Sequence, residues 1–277
     1  MSQQQRSVLV TGASSGIGLC VARGLARRGY QVVATARKPA DIQRLRAEGL
    51  DCVALDLASS PSIANVVEET LAITGGGLYG LFNNAAYGQP GAVEDLSRQA
   101  LREQFEVNLF GTHELTRLLI PVMRAQGQGR IIQDSSVLGF VALPYRGAYN
   151  ASKFALEGLS DTLRMELKGS GIHVSLIEPG PILSRFRENA EAAFRRHIDA
   201  GASVHRQRYQ GMLQRLKTKG PAVPFTLPPE AVLKAVIKAL ESPHPRHRYR
   251  VTFPTRLFAA LKRVLPYGLL ERILIKV

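Results

Sequence analysis

Tyr149 and Lys153 stand four residues apart, a spacing that brings a phenol and an ammonium together only on a helix. A lysine beside a tyrosine favours the phenolate and draws its pKa down from about 10, toward the range of a working proton donor or acceptor. The same spacing occurs on solvated helix faces, where it carries no chemistry. A second feature, at the other end of the chain, separates the two readings.

Gly12, Gly16 and Gly18 follow a short β-rich run at 7–11 and open a helical pattern at 16–28. That is the context of a turn that cradles a dinucleotide pyrophosphate. Glycine permits the tight turn and close backbone approach, and the anion rests on the positive end of the helix. Ser14, Ser15 and Ile17 fill the intervening positions, and Thr11 precedes them. The spacing is G-x-x-x-G-x-G rather than the commoner G-x-G-x-x-G. Without a ligand the segment would be an ordinary Gly-rich connection between strand and helix.

These residues need a scaffold that brings position 12 to position 149, and the apolar pattern supplies one. Short β-rich runs at 31–36, 52–55, 79–83, 130–133 and 173–177 alternate with helical patterns at 40–48, 61–74, 101–126 and 149–168. Strands this apolar, separated by helices, predict a parallel sheet covered on both faces. A polar, Arg-rich segment at 185–219 has no strand signal and leads through a Pro-rich stretch to 229. It predicts a helical lid beyond a strand end, where open α/β folds bind ligands. A helix at 230–240 and a strand near 249–252 restore the rhythm. The expected architecture is one α/β domain over 1–277, a doubly wound Rossmann sheet of about seven strands. The insertion at 185–229 forms its lid, and 254–277 its amphipathic helical extension.

The Gly-rich turn, the pair Asn83 and Asn84 with Ala85 at a strand end, and the Tyr149/Lys153 spacing together resemble the short-chain dehydrogenases/reductases, closely over about 7–184. The C-terminal extension and the stretch 140–153 are similar to steroid- and retinol-type members. Two departures are small: Ala86 stands where that family has glycine, and Ser184 where a threonine is common. The resemblance implies a carbonyl/alcohol oxidoreductase using a nicotinamide dinucleotide. It makes Tyr149 the general acid or base, with Lys153 lowering its pKa and holding the nicotinamide ribose. Ser136, rather than the adjacent Ser135, would hydrogen-bond the substrate oxygen, and Asn108 would interrupt the long central helix and pass protons through a bound water. Asp56, with Leu57 beside it, would receive the adenine. Asn83, Asn84 and Ala85 would line the adenosine side and brace the sheet, and Pro179, Gly180, Ile182 and Ser184 would line the carboxamide end.

The second strand ends in Ala36, Arg37 and Lys38. An acid there would accept from the ribose 2′-OH of NAD and repel a 2′-phosphate. Two cations instead favour NADP(H) over NAD(H), Arg37 by a bidentate pair and Lys38 by added charge. The alternative is that both solvate a turn.

The chain carries 36 Lys/Arg against 22 Asp/Glu among 277 residues, a net charge of +14. The excess is local. Residues 1–184 hold 17 against 16, and residues 185–277 hold 19 against 6. Only the final third therefore predicts a polyanionic partner: anionic lipid, an acidic carrier protein, or another polyanion. No reading motif or aromatic interleaving accompanies the charge, so nucleic acid is not expected. Leu257, Phe258, Leu261, Val264 and Leu265 form an apolar stripe that either lies on an anionic bilayer or packs on its own domain or a second subunit. Two cysteines within apolar runs predict a reduced, cytoplasmic setting, and no histidine or cysteine spacing suggests a metal. The expected partners are a small, lipophilic carbonyl or alcohol and further copies of the chain. The competing functions are 3-oxoacyl reduction on acyl carrier protein, and a non-catalytic NADP-sensing protein.

Overall fold

The computed structural model describes residues 5–218 and 220–276. Seven parallel strands form one sheet: β1 (Ser7–Val10), β2 (Gln31–Ala36), β3 (Asp51–Ala54), β4 (Gly80–Asn83), β5 (Gly129–Asp134), β6 (Ile172–Glu178) and β7 (Arg248–Arg250). Their order is β3-β2-β1-β4-β5-β6-β7. The direction of winding therefore reverses between β1 and β4, and the strand ends at that crevice are where such sheets bind ligands.

Alternation along β1 explains the two-sided core. Val8 and Val10 join one apolar cluster with α1 (Gly16–Arg27) and α9 (Glu230–Glu241), whereas Leu9 joins the opposite cluster. That second cluster takes in α3 (Ser60–Ile73), α5 (Thr112–Ala125) and the end of α6 (Gly147–Glu166). α2 (Pro39–Ala47) flanks β2 and β3, and α4 (Arg98–Phe105) precedes α5. Each large apolar side chain fully buried here, such as Leu119, contributes about 1.5–3 kcal/mol.

The helical pattern at 101–126 is not one helix. α4 runs into a π-helical segment, Glu106–Gly111, before α5 begins. Gly111 lies on the Leu57 carbonyl so closely that a Cβ would sit 1.9 Å from its oxygen. The extra residue of the π turn lets the helix pass that loop, and apolar periodicity does not register it.

The expected lid is two helices, α7 (Phe186–His197) and α8 (Arg206–Lys217), joined by a small core of Phe194, Ile198 and Tyr209 with Ala92. Main-chain bonds between Leu183 and Leu227, and between Leu227 and Pro181, tie the lid's return to its start. The final strand is shorter and earlier than 249–252. Val251 has left it, and the Thr252 hydroxyl caps α10 (Phe253–Val264) by accepting from Thr255 N. α11 (Tyr267–Leu274) follows. Of the apolar stripe on α10, Phe258, Leu261 and Leu265 pack on Leu138, Val141, Leu270 and Leu274. Leu257 and Val264 stay exposed. Among the described residues no helix is long and apolar enough to cross a membrane.

Candidate active site

The carboxyl ends of β1 to β6 and the lid enclose a cleft of about 1540 Å³. One wall begins at the Gly-rich turn. Gly12 adopts φ +69°, and a Cβ on it would meet Ala85 Cα at 2.9 Å. Gly18 faces inward, where a Cβ would lie 2.3 Å from the Gly12 oxygen. Gly18 thus seats the helix on the turn and does not line the cleft. Asn84 locks the arrangement: its Nδ2 donates to the Thr11 and Gly12 carbonyls at 2.8 and 3.2 Å. Thr11 Oγ1 in turn accepts from Asn84 N and Ala85 N. Thr35, which sequence reasoning passed over, holds the turn from β2, its carbonyl accepting from Ala13 N at 2.8 Å.

Ser15 caps α1 without a side-chain bond to its first turn. Those N–H groups therefore face a cleft also lined by Gly12, Ser14, Ser15, Gly16 and Ile17. This is a built anion cradle, and it fits a pyrophosphate. Arg37, Asp56, Leu57, Asn84, Ala85, Pro179, Gly180, Ile182 and Ser184 line the same space. Asp56 has an Oδ1 that accepts from Ala58 N at 3.1 Å. Two expected residues stand elsewhere. Lys38 caps α2 at the surface, outside the cleft lining. Asn83 is buried, donates to Thr116 Oγ1 at 2.8 Å, and so braces β4 on α5 rather than meeting a cofactor.

The opposite wall carries Ser136, Tyr149 and Lys153. Ser135 and Ser136 point apart, as alternation at the end of β5 requires. Ser135 Oγ donates to the buried Glu157 at 2.5 Å, whereas Ser136 Oγ accepts from Leu138 N at 3.1 Å and lies in reach of the Tyr149 hydroxyl. The Tyr149 ring is half-buried and packs edge-on against Phe186 of the lid, 5.3 Å between centroids. Phe186 carried no sequence signal, because its place depends on how the lid folds back.

Lys153 departs from expectation. Its ammonium donates to the Asp134 backbone carbonyl at 2.5 Å and sits 5.8 Å from the Tyr149 ring centroid. Burial pushes the Tyr149 phenol above its ordinary range, the Asp134 carboxylate adds to this, and the Ser136 hydroxyl opposes it. Burial lowers Lys153 itself, against the Asp134 and Glu157 charges. Asp134 is the residue the sequence reading missed. It is buried, lines the cleft, leaves Oδ1 without a partner, and is pushed up to about 7 by burial against the pull of Lys153.

Asn108 sits in the π segment, with both Nδ2 hydrogens and one Oδ1 acceptor position engaged. Nδ2 donates to the Tyr87 carbonyl at 2.9 Å and Ser152 Oγ at 3.2 Å, and Oδ1 accepts from Tyr87 N. It lies outside the cleft lining and holds the 84–90 loop to α6.

Comparison with known proteins agrees with this geometry. Residues 6–194 match the model of a family described as short chain dehydrogenase. The uncharacterized oxidoreductase YbbO of Escherichia coli (strain K12) is 45% identical over 270 residues, 98% of this chain and 94% of that protein. Retinol dehydrogenase 8 of Bos taurus is 34% identical, over 97% of this chain and 88% of its own. Among solved structures, a short-chain dehydrogenase from Streptomyces avermitilis superposes with a TM-score of 0.77 at 28% identity, covering 95% of this chain and 94% of that one.

Proposed function

The chain belongs to the short-chain dehydrogenase/reductase family, and from that premise we propose that it is an NADP(H)-dependent reductase of a lipophilic aldehyde or ketone, reversible to the alcohol. The observation that carries this reading is the placing of Ser136, Tyr149 and Lys153 on one wall of a cleft whose other wall is the Gly-rich turn.

NADP(H) supplies or accepts the hydride. Gly12, Ser14, Ser15, Gly16 and Ile17 hold its pyrophosphate. Asp56 and Leu57 take the adenine, Asn84 and Ala85 its ribose side, and Pro179, Gly180, Ile182 and Ser184 the carboxamide. NADP(H) is favoured because β2 ends at Ala36, with Arg37 on the cleft and no acid to repel a 2′-phosphate. Ser136 positions the substrate oxygen, and Tyr149 gives it a proton. A phenol held above its ordinary pKa is fully protonated at neutral pH, which suits donation and hence reduction. Lys153 holds Asp134 and the end of β5 in place and offers its remaining N–H bonds to the ribose. A lipophilic substrate is favoured by Phe186, Met212, Leu216, Phe225, Leu257 and Phe258 along the lid and tail. Retinol dehydrogenase 8, by its name, acts on such a molecule.

The test is oxidation of NADPH, with NADH in parallel, against retinal, ketosteroids, long-chain aldehydes, 3-oxoacyl thioesters and short aldehydes. Turnover of long-chain substrates with NADPH is expected. Turnover confined to short polar carbonyls, or to NADH, overturns the reading. A second reading, 3-oxoacyl reduction on a carrier protein, is favoured by the basic final third. It requires carrier-bound substrate to outperform free thioester at low salt. We also assign self-association to the outer face of α6 and the nearby π turn, where Phe110, Phe154, Leu159 and Met165 are exposed. Light scattering should give a dimer or tetramer.

A further inference from the structure

The cleft has a second, differently built end. α8 presents Arg208, Gly211, Met212, Arg215 and Leu216 to it. Offsets of three, four, seven and eight residues define a single helix face. The flank of that face, next to Leu216, is anchored by Tyr209, buried against Phe194 and Tyr145 and donating to Asp95. That anchoring turns Arg208 and Arg215 toward the cleft, about 10 Å apart along the axis, with Met212 and Leu216 beside them.

Other lid cations on the cleft have counter-charges: Arg185 pairs with Glu188, and Arg196 with Glu103. Among the described residues Arg208 and Arg215 have neither an ion pair nor a side-chain hydrogen bond, although Arg215 is half-buried. Burial alone accounts for the lowering of its pKa, since no carboxylate faces it. Arg187 of α7 adds a third cation, with Nη1 fully buried and unpartnered while Nη2 donates to the Gly220 carbonyl. A guanidinium withdrawn from water without a partner is costly; this bears on the half-buried Arg215 and on Nη1 of Arg187, while Arg208 stands exposed at the cleft. Together the three give this end of the cleft a cationic lining beside apolar side chains. The cofactor's phosphates are assigned to the Gly-rich turn and Arg37, so they do not account for the α8 face.

We infer that Arg208 and Arg215, assisted by Arg187, form a subsite for a carboxylate or phosphate group at the far end of an apolar substrate. The substrate class is then an acidic lipid-like carbonyl or alcohol, not a neutral one. The inference rests on the proposed reduction of a lipophilic carbonyl, and it deepens it. Planar guanidinium forks suit either oxyanion, and the apolar lining between cleft and lid takes the chain.

The test has a binding arm and a kinetic arm, both on the full chain. With NADP+ present, dodecanoate, dodecyl phosphate and dodecanol are titrated by calorimetry at fixed ionic strength. At least one anion should bind tenfold or more tightly than the alcohol, and which one it is identifies the head group. In Arg208→Ala/Arg215→Ala the preference should collapse to within about twofold, and Arg215→Lys should retain part of it. In the kinetic arm, kcat/KM for 12-oxododecanoate over dodecanal should exceed ten in the wild type and approach one in the double variant. A circular-dichroism melt confirms that each variant folds. Equal binding of anion and alcohol by the wild type overturns the subsite, as does a preference that survives in the double variant. If the anion is preferred but no aldehyde is reduced, the subsite stands and the proposed reaction falls. If dodecanal is reduced without any preference for the acid, the reaction stands and the subsite falls.

Discussion

Lys153 donates its ammonium to the backbone carbonyl of Asp134 at 2.5 Å, so the cation of the pair is anchored to the strand that ends in the serines. Two consequences follow for the chemistry. The lysine rigidifies the wall that carries Ser136, and the Asp134 carboxyl, buried beside it, becomes a charge that both Lys153 and Tyr149 sense.

Asp134→Asn should therefore change the pH profile. Alcohol oxidation needs the Tyr149 phenolate, and the Asp134 carboxylate disfavours it. Removing that charge should raise oxidation at pH 8 roughly 3–10-fold, a shift of up to one logarithmic unit in the alkaline limb. Asp134 is itself pushed up to about 7, so variant and wild type should converge below that pH and separate above it. Stability should follow the same window. A carboxyl whose folded pKa exceeds its unfolded value stabilises fully below the unfolded value, and loses that contribution as pH rises through the folded one. The variant should thus gain several degrees in Tm over the wild type at pH 8 and little near pH 4. Parallel pH–rate curves with no convergence would remove Asp134 from the account.

Tyr149→Phe separates catalysis from cofactor binding. Loss of the phenol beside Ser136 should lower kcat by about 10²–10⁴, while the Kd for NADP+ measured by fluorescence stays within threefold. A variant that keeps its turnover would remove Tyr149 as the proton donor, and one that loses turnover yet keeps every other function of the protein would support a sensing role over an enzymatic one.

Cofactor choice is tested at the end of β2. Ala36→Asp places a carboxylate where a ribose 2′-OH would donate and a 2′-phosphate would be repelled. The ratio of kcat/KM for NADPH over NADH should fall at least 100-fold. Arg37→Ala should raise the KM for NADPH about tenfold and leave that for NADH nearly unchanged. Lys38 caps α2 outside the cleft, so Lys38→Ala should move neither. An effect at Lys38 equal to that at Arg37 would mean that general charge, not a placed guanidinium, sets the preference.

Much of this site was legible in the sequence because it depends on local spacing. The glycines of the turn and the helical Tyr149/Lys153 pair carry their geometry within eight residues. What stayed hidden depends on partners distant in the chain. Asp134 reads as one acid after an apolar run, and only its strand neighbours bury it. At Asn108 the family resemblance pointed to an interrupted helix, but the apolar pattern did not show the π turn or the close approach of Gly111 to the Leu57 carbonyl. The stripe on α10 could meet a bilayer or protein, with packing the favoured reading, and the partners it packs on, Leu138 and Leu270, lie far off in the sequence or on the next helix. Spacing brings the Lys153 ammonium to 5.8 Å from the Tyr149 ring, but the bond it gives the Asp134 carbonyl at the end of β5 depends on a strand distant in the chain.

Arg248 shows how the site is held from behind, and removing it makes the strongest stability prediction. Its guanidinium reaches three carboxylates: Glu157 at 2.9 Å, Asp161 at 2.6 Å and Glu178 at 3.0 Å. Glu178 is almost fully buried, and Glu157 also accepts the Ser135 hydroxyl. β7 is only three residues long, so this fork, with Arg250 on Glu178 at 3.1 Å, does much to fasten the edge of the sheet to α6. Arg248→Met leaves buried carboxylates facing each other and should cost about 3 kcal/mol, the lower end for breaking a buried pair, because the arginine is partly exposed. That corresponds to a fall in Tm of roughly 6–12 °C for a domain of this size. Arg248→Lys should recover part of it, lacking the fork. The loss should be largest above pH 7. Burial and the Glu157 charge raise Glu178 to about 7, and the variant raises it further, so protonation at lower pH relieves the repulsion. Urea melts at pH 5.5 and 8 measure this directly, and an equal loss at both values would assign the effect to packing rather than charge. Because Glu157 also holds Ser135, a weakened network should loosen Ser136, and kcat should fall with stability even though Arg248 lies outside the cleft.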